Sequence, residues 1–303
     1  MMEKTRHSRW RGALLWVGAV LIMAGAAIYQ RRTGPTYPLR GEIAVGADAY
    51  RYELVRSQET IERARVALPR PGAGASGTMT YRRYPTGDDF TTVEMVVEDG
   101  EDGPELAAYL PIQPAAGKME YYLEVETAGG GVRIPAEQGE DANIILRYKD
   151  PVPAPLLVSH VIAMFFTVLI GMRTGLGALF APGNVRTLVW VTLIGMTVGG
   201  LVLGPFVQKY AFGEYWTGFP WGYDLTDNKL LIMWVVWVAA AFALGMKPKR
   251  KAGPGRATVG VAALVMTVVY LIPHSMRGSE LDFAAVDAGV PAAEAVGTGR
   301  NQE

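Results

Sequence analysis

The strongest constraint in this chain is a set of long apolar runs with almost no charge inside them. A helix needs roughly 20 apolar residues to cross the hydrocarbon layer. Inside lipid each backbone N–H and C=O must be paired within the structure, which leaves helices or closed barrels. The segments Trp10–Tyr29, Pro155–Met172, Thr187–Val207 and Leu230–Met246 reach or approach the length, and Ala257–Ile272 is a shorter fifth. They predict a membrane α-helical bundle of about five transmembrane helices. The first is expected to be an uncleaved anchor: its apolar stretch is long for a signal peptide, and no small-x-small site precedes Tyr29.

The basic residues give the bundle a direction. Lys4, Arg6, Arg9 and Arg11 precede the first run, and Arg173 and Arg186 lie between the second and third. Lys247, Lys249, Arg250, Lys251 and Arg256 lie between the fourth and fifth. The alternate connections carry Glu214, Asp224, Asp227, Glu280 and Asp282. Positive charge stays on the cytoplasmic side, so the expected N-terminus is cytoplasmic and the C-terminus extracytoplasmic, in a bacterial-type inner membrane. Arg31 and Arg32 are the discordant pair. Gly171/Gly175, Gly195/Gly199 and Gly200/Gly204 have the spacing that lets helix backbones approach closely, read as bundling within the chain. Pro205 is expected to kink or end the third helix.

Between the first two runs the pattern changes to period two. Strands are expected at Gly41–Val45, Tyr50–Val55, Arg63–Leu68, Thr78–Arg83, Thr91–Val97, Glu105–Leu110, Met119–Glu126, Val132–Ile134 and Asn143–Tyr148. Turn signals such as Pro85-Thr86-Gly87-Asp88 and Gly129-Gly130-Gly131 separate them. Short strands at this spacing predict an all-β antiparallel sandwich. The chain has no cysteine, which excludes disulfides, thiolate metal sites and thioether-bound haem, so the domain must be held by its own core. The run from Leu110 to Val125, with Pro111, Pro114 and Gly117 leading into Tyr121-Tyr122, resembles a stretch common in immunoglobulin-like and fibronectin type III-like modules. There a Pro/Gly turn precedes a central strand with paired aromatics. The resemblance implies an immunoglobulin-like sandwich and contact or spacer duty, with no ligand specified.

The expected organisation is therefore a basic tail over 1–9, a first transmembrane helix over 10–30, and an extracytoplasmic β-sandwich over 31–150. A four-helix membrane domain follows over 151–275, and the tail over 276–303 has a disordered composition. Formal net charge is zero, so nothing draws the chain to nucleic acid. The expected partners are the lipid bilayer and a protein on the extracytoplasmic side.

One connection, residues 208–229, is unlike a simple linker. It is aromatic, Gly-rich and acidic at once: Tyr215, Trp216, Phe219, Trp221 and Tyr223 alternate with Glu214, Asp224 and Asp227, and Trp234 and Trp237 follow on the next helix. It resembles the tryptophan-rich external segment of haem-handling cytochrome c assembly proteins, at Tyr215, Trp216, Trp221, Gly222, Asp224, Trp234 and Trp237. The Lys-Glu-Thr-Trp continuation of that family is replaced by Thr226-Asp227-Asn228-Lys229. In that family a histidine on either side of the segment ligates haem iron, and this chain has His160 before it and His274 after it. The resemblance thus implies a haem b site with His160 and His274 as iron ligands and Trp216, Trp221 and Asp224 around it. His160 lies roughly 8 Å below the outer end of its helix by helical rise, and neutral imidazoles from two helices can clamp a haem iron.

Each of these residues also has an ordinary structural use. Trp and Tyr collect at membrane interfaces. Asp224, Thr226 or Asp227 can cap the following helix, Lys229 can pair with Asp224 or Glu214, and His160 can bond the loop or a backbone carbonyl. No phosphate-binding loop, nucleophile elbow or His-Glu-x-x-His motif is present. The leading expectation is a non-enzymatic accessory, assembly or scaffolding subunit of a membrane complex. Its 210–229 loop would pack under the sandwich or against a neighbouring subunit. A b-type haem binder is the alternative, and a small-molecule sensor is a third.

Overall fold

The computed structural model describes residues 2–136, 143–180, 184–245, 253–273 and 278–297. His274, Lys247, Lys249, Arg250 and Lys251 lie outside the described residues. The chain divides into two compact units, one of Met1–Gly34, Val152–Tyr210 and Glu214–Gly278, the other of Pro35–Pro151, Ala211–Gly213 and Ser279–Glu303.

The first unit is helical. α1 spans Met2–Thr33, α2 Ala154–Phe180 and α3 Val185–Met196. A π-helical stretch, Thr197–Leu203, leads into α4, Gly204–Phe212, and α5 and α6 span Leu225–Leu244 and Gly253–Leu271. Among the described residues, four helices are long and apolar enough to cross a membrane: Trp10–Thr33, Ala154–Phe180, Val185–Phe212 and Leu225–Leu244. Gly255–Leu271 is a shorter apolar helix. The chain is a membrane protein on this ground. Leu14, Leu21 and Ile28 of α1 are exposed, as lipid-facing side chains of a span are.

The small residues pack inside the bundle. A side chain built on Gly175 of α2 runs into Ala263 of α6, and one on Gly195 of α3 runs into Thr167 of α2. Pro205 does not end the helix, which runs on to Phe212. Proline has no N–H, and its ring crowds the carbonyl four residues back. The wider π turn just before it absorbs that conflict. Two helix ends are closed by arginines, which suit the negative C-terminal end of the helix dipole. Arg256 Nε donates to Ala178 O of α2 at 2.8 Å, and Arg186 Nη2 donates to Leu244 O of α5 at 3.1 Å.

The second unit holds the strands. They are β1 Leu39–Val45, β2 Asp48–Leu54, β3 Ser57–Glu59, β4 Ala64–Pro69, β5 Ser76–Tyr84, β6 Thr91–Glu94, β7 Val96–Gly100, β8 Gly103–Leu110, β9 Lys118–Thr127, β10 Gly130–Ile134 and β11 Ile144–Lys149. Every strand expected from the period-two pattern is present. The six-stranded sheet runs β3-β11-β9-β5-β6 with β10 also on β9, and a three-stranded sheet runs β4-β8-β7. β1 and β2 form a separate hairpin. Two details differ from expectation. The sheets are not purely antiparallel, because the short β3 pairs parallel to β11. The strand expected over 91–97 is broken at Met95, whose N–H reaches Gly77 O at 2.8 Å while the chain passes from one sheet to the other.

Alternation builds the core. Met119, Tyr121, Leu123 and Val125 of β9 are buried, and so are Ala64, Val66 and Leu68 of β4. Side chains from both sheets and from the hairpin (Ile43, Leu54) join one cluster. Each fully buried Leu or Met is worth about 1.5–3 kcal/mol by area. The Tyr121 hydroxyl, taken fully out of water, donates to Val55 O at 2.7 Å, and burial pushes its ionisation well above the usual tyrosine range.

Residues 278–297, expected from composition to be a disordered tail, are folded. They form β12 Glu280–Leu281, α7 Phe283–Asp287 and β13 Val296–Gly297, with a small core of Leu281, Phe283 and Ala295. Long-range bonds hold the segment to the strands. Lys118 pairs with Glu280, Arg147 donates to Ser279 O, and Arg83 grips Asp287 at 2.8 Å through both terminal nitrogens. Arg83 also donates to Asp88, at 2.6 Å from Nε. Its hydrogen bonds hold both carboxyls below the usual aspartate value of 3.8. Stabilisation from such depressed groups is present above that value and is lost as pH falls through the lower native one. The segment is therefore expected to loosen below a pH of about 4 and to stay docked at neutral and alkaline pH. Hydrogen exchange of the 280–296 amides, corrected for intrinsic rates, checks this. Arg83→Ala is expected to reproduce the acid behaviour at pH 7.

Candidate functional site at the aromatic loop

The loop between α4 and α5 is built around the start of α5. Asp224 is the N-cap: its Oδ1 accepts from Thr226 N at 2.7 Å and from Asp227 N at 3.2 Å. An acid here satisfies orphan N–H groups and meets the positive end of the helix dipole. Of the three capping candidates, Asp224 takes the position.

Asp227, in the first turn of α5, turns back into the loop. Its Oδ2 accepts from Thr217 N at 2.7 Å and from Gln208 Nε2 at 3.2 Å. Gln208 Nε2 also donates to Thr217 Oγ1 at 2.6 Å, and Thr217 Oγ1 lies 3.1 Å from Asp224 Oδ2. Asn228 Oδ1 accepts from Phe219 N at 2.7 Å. Thr217, Asp224, Asp227 and Lys229 are all buried. Gly218 sits where Asp227, Asn228 and Trp216 close in, and a Cβ there would lie 2.5 Å from Asp227 Cβ. Backbone bonds from Trp221 N and Gly222 N to Gly218 O, and from Asp224 N to Thr217 O, complete a tight turn.

Lys229 does not reach upward. Its Nζ donates to Ile272 O at 2.8 Å and Pro273 O at 3.0 Å, closing the C-terminal end of α6. A charged donor offered to two carbonyls just past the helix end is a strong hydrogen-bond arrangement.

His160 lies on α2 with Nδ1 2.8 Å from Gly199 O in the π-helical stretch. Of its two structural readings, the backbone carbonyl is the one adopted. Gly200, next to that carbonyl, packs against Leu230, and Asp224 stands six positions before Leu230. By helical rise the His160 level is about 9 Å below the loop. Trp216 donates to Phe219 O at 3.1 Å, within the loop. Trp221 is exposed and Asp224 is committed to the cap. The described residues among those nominated from sequence thus fall at two levels of the bundle, with the bonds of Trp216 and Asp224 made in the loop and that of His160 in the π turn. Trp234 Nε1 donates to Thr197 Oγ1 at 2.9 Å, and Trp237 is fully buried in the helical core.

Sequence reasoning missed Gln208 and Thr217. A glutamine inside an apolar span is itself a signal, because such a group must find a buried partner. Among the described residues, no group of three or more His, Asp or Glu is placed to hold a metal ion. No family model and no curated protein matches the chain.

Proposed function

We propose that this is a non-enzymatic scaffolding or accessory subunit of a membrane complex, with its β domain as the contact module for a protein partner. The observation that carries this reading is the use made of the polar side chains where chemistry was expected. Asp224, Asp227, Asn228 and Lys229 hold backbone groups of the loop or of α6, and His160 sits on a backbone carbonyl. These are the duties of a rigid support. In the β domain, β7 is a sheet-edge strand with Val96 and Val97 both about half exposed, at 54% and 51%. An uncovered apolar edge is a liability unless something pairs with it.

The topology belongs to the same proposal: five spans, the N-terminus cytoplasmic, and an immunoglobulin-like sandwich and the C-terminus outside a bacterial-type inner membrane. The basic flanks support the direction. Parity supports the fifth span. Residues Pro151 and Ser279 belong to one compact unit, which an even number of crossings between them would keep on one side of the membrane. α2, α3–α4 and α5 make an odd number, and α6 makes it even. The shared core of the two sheets supports the sandwich.

A photo-crosslinking residue at Val97, in native membranes, tests the contact role. A discrete adduct with one protein is expected, and a free chain under every condition would overturn it.

One observation favours the haem reading. A histidine that ligates a metal commonly places its other ring nitrogen on a backbone carbonyl, which orients the ring. His160 Nδ1 on Gly199 O has that arrangement, which would leave Nε2 for iron. A Soret band after haem supplementation that disappears in His160→Ala would establish it, and a colourless parent protein would sink it.

A further inference from the structure

The aromatic loop has its polarity inside out. Three of its polar side chains (Thr217, Asp224, Asp227) are buried and Glu214 is partly so, whereas Phe219, Trp221 and Tyr223 are exposed at 65%, 65% and 66%. Tyr215 and Tyr210 are half exposed. A water-facing loop shows the reverse arrangement, since apolar rings are driven inward and carboxylates stay hydrated. The loop also joins two helices apolar enough to span a membrane, which fixes its depth at their ends.

We propose that Phe219, Trp221 and Tyr223 form a lipid-interface anchor that inserts into the headgroup and upper acyl layer of the leaflet on that side. Three features lead to this occupant. The loop continues two spans, so its rings begin at the edge of the hydrocarbon layer. Tyr and Trp are amphipathic rings suited to that boundary. The turn is held rigid by Gly218 O, Asn228 and Asp227, so the rings are presented at little further cost in conformational freedom. The anchor would also fix the rotation and tilt of α4 and α5, which interfacial aromatics are able to set.

The absence of cysteine makes the test direct. Trp221→Cys and, separately, Asp102→Cys in the β domain would be labelled with an environment-sensitive fluorophore, and each full-length protein reconstituted into phosphatidylcholine vesicles. The position-221 label is expected to emit to the blue of the position-102 label. It is expected to lose fluorescence to nitroxides carried near the headgroup end of the lipid chain, and to resist aqueous iodide. Quenching by iodide alone, matching position 102, would overturn the proposal by placing the rings in water. Resistance to both quenchers would overturn it by placing them against protein.

Discussion

Gly175→Leu is expected to lower the thermal midpoint of the detergent-purified protein by about 6–12 °C, from an overpacking cost of about 3 kcal/mol. The cause lies in what faces the glycine. Its missing side chain is opposite the Cβ of Ala263, an atom fixed to the α6 backbone that no rotamer change can move aside. The substitution must therefore push α2 and α6 apart along the seam that also holds Met266 over Gly171. In lipid the helices gain little from excluding water, so their association depends on this close fit. Gly25→Leu on α1 is the control: nothing lies within 4 Å of the point where its Cβ would stand, and its midpoint should stay near the parent value. Circular dichroism melts of the two variants decide the matter. Equal midpoints would show that the α2–α6 seam is not a close contact.

Asp227→Ala is expected to cost about 3 kcal/mol and to free the loop before the bundle melts. Asp227 is 6% exposed, and its carboxylate receives the Thr217 N–H and the Gln208 amide. Alanine leaves both donors without this acceptor in a region closed to water, which costs more than the hydrogen bonds themselves contributed. Asp227→Asn keeps one carbonyl oxygen for Thr217 N and should lose about half as much. Limited proteolysis reads the local effect. Cleavage between Tyr215 and Tyr223 should appear in the alanine variant at temperatures where the helical signal is intact. A variant that resists cleavage and melts like the parent would show that Asp227 does not hold the loop.

The parts of the fold legible in sequence were those set by local periodicity. Apolar runs located the helices because lipid requires continuous hydrophobicity. Alternation located β9 and β4 because one face of each is buried. The misses all depend on distant residues. β3 is three residues long and exists by pairing with β11 across the domain. The break at Met95 is made by Gly77, on another strand. The segment 278–297 has a small core around Leu281, Phe283 and Ala295, so composition reads it as unfolded, and Arg83, Lys118 and Arg147 far earlier in the chain hold it in place.

The loop divides in the same way. Asp224 was legible as one of three cap candidates, with Thr226 and Asp227, because residues that favour helix N-caps precede the apolar run from Leu230. The Gln208–Thr217–Asp227 set was not, since it joins α4, the loop and α5 in space. Lys229 reads as a partner for nearby acids, yet it serves the carbonyls just past the end of α6 more than forty residues away, at a separation of 43 to Ile272.

Single cysteines at Asp102, Lys249 and Ala293 in the otherwise cysteine-free chain, probed in intact cells with a membrane-impermeant maleimide, test the proposed topology most directly. Residues 102 and 293 belong to one compact unit, and the proposed topology puts an even number of crossings between its two parts. Both should label without lysis, while position 249 should label only after the membrane is opened. Labelling of 102 and 293 from opposite sides would contradict the arrangement.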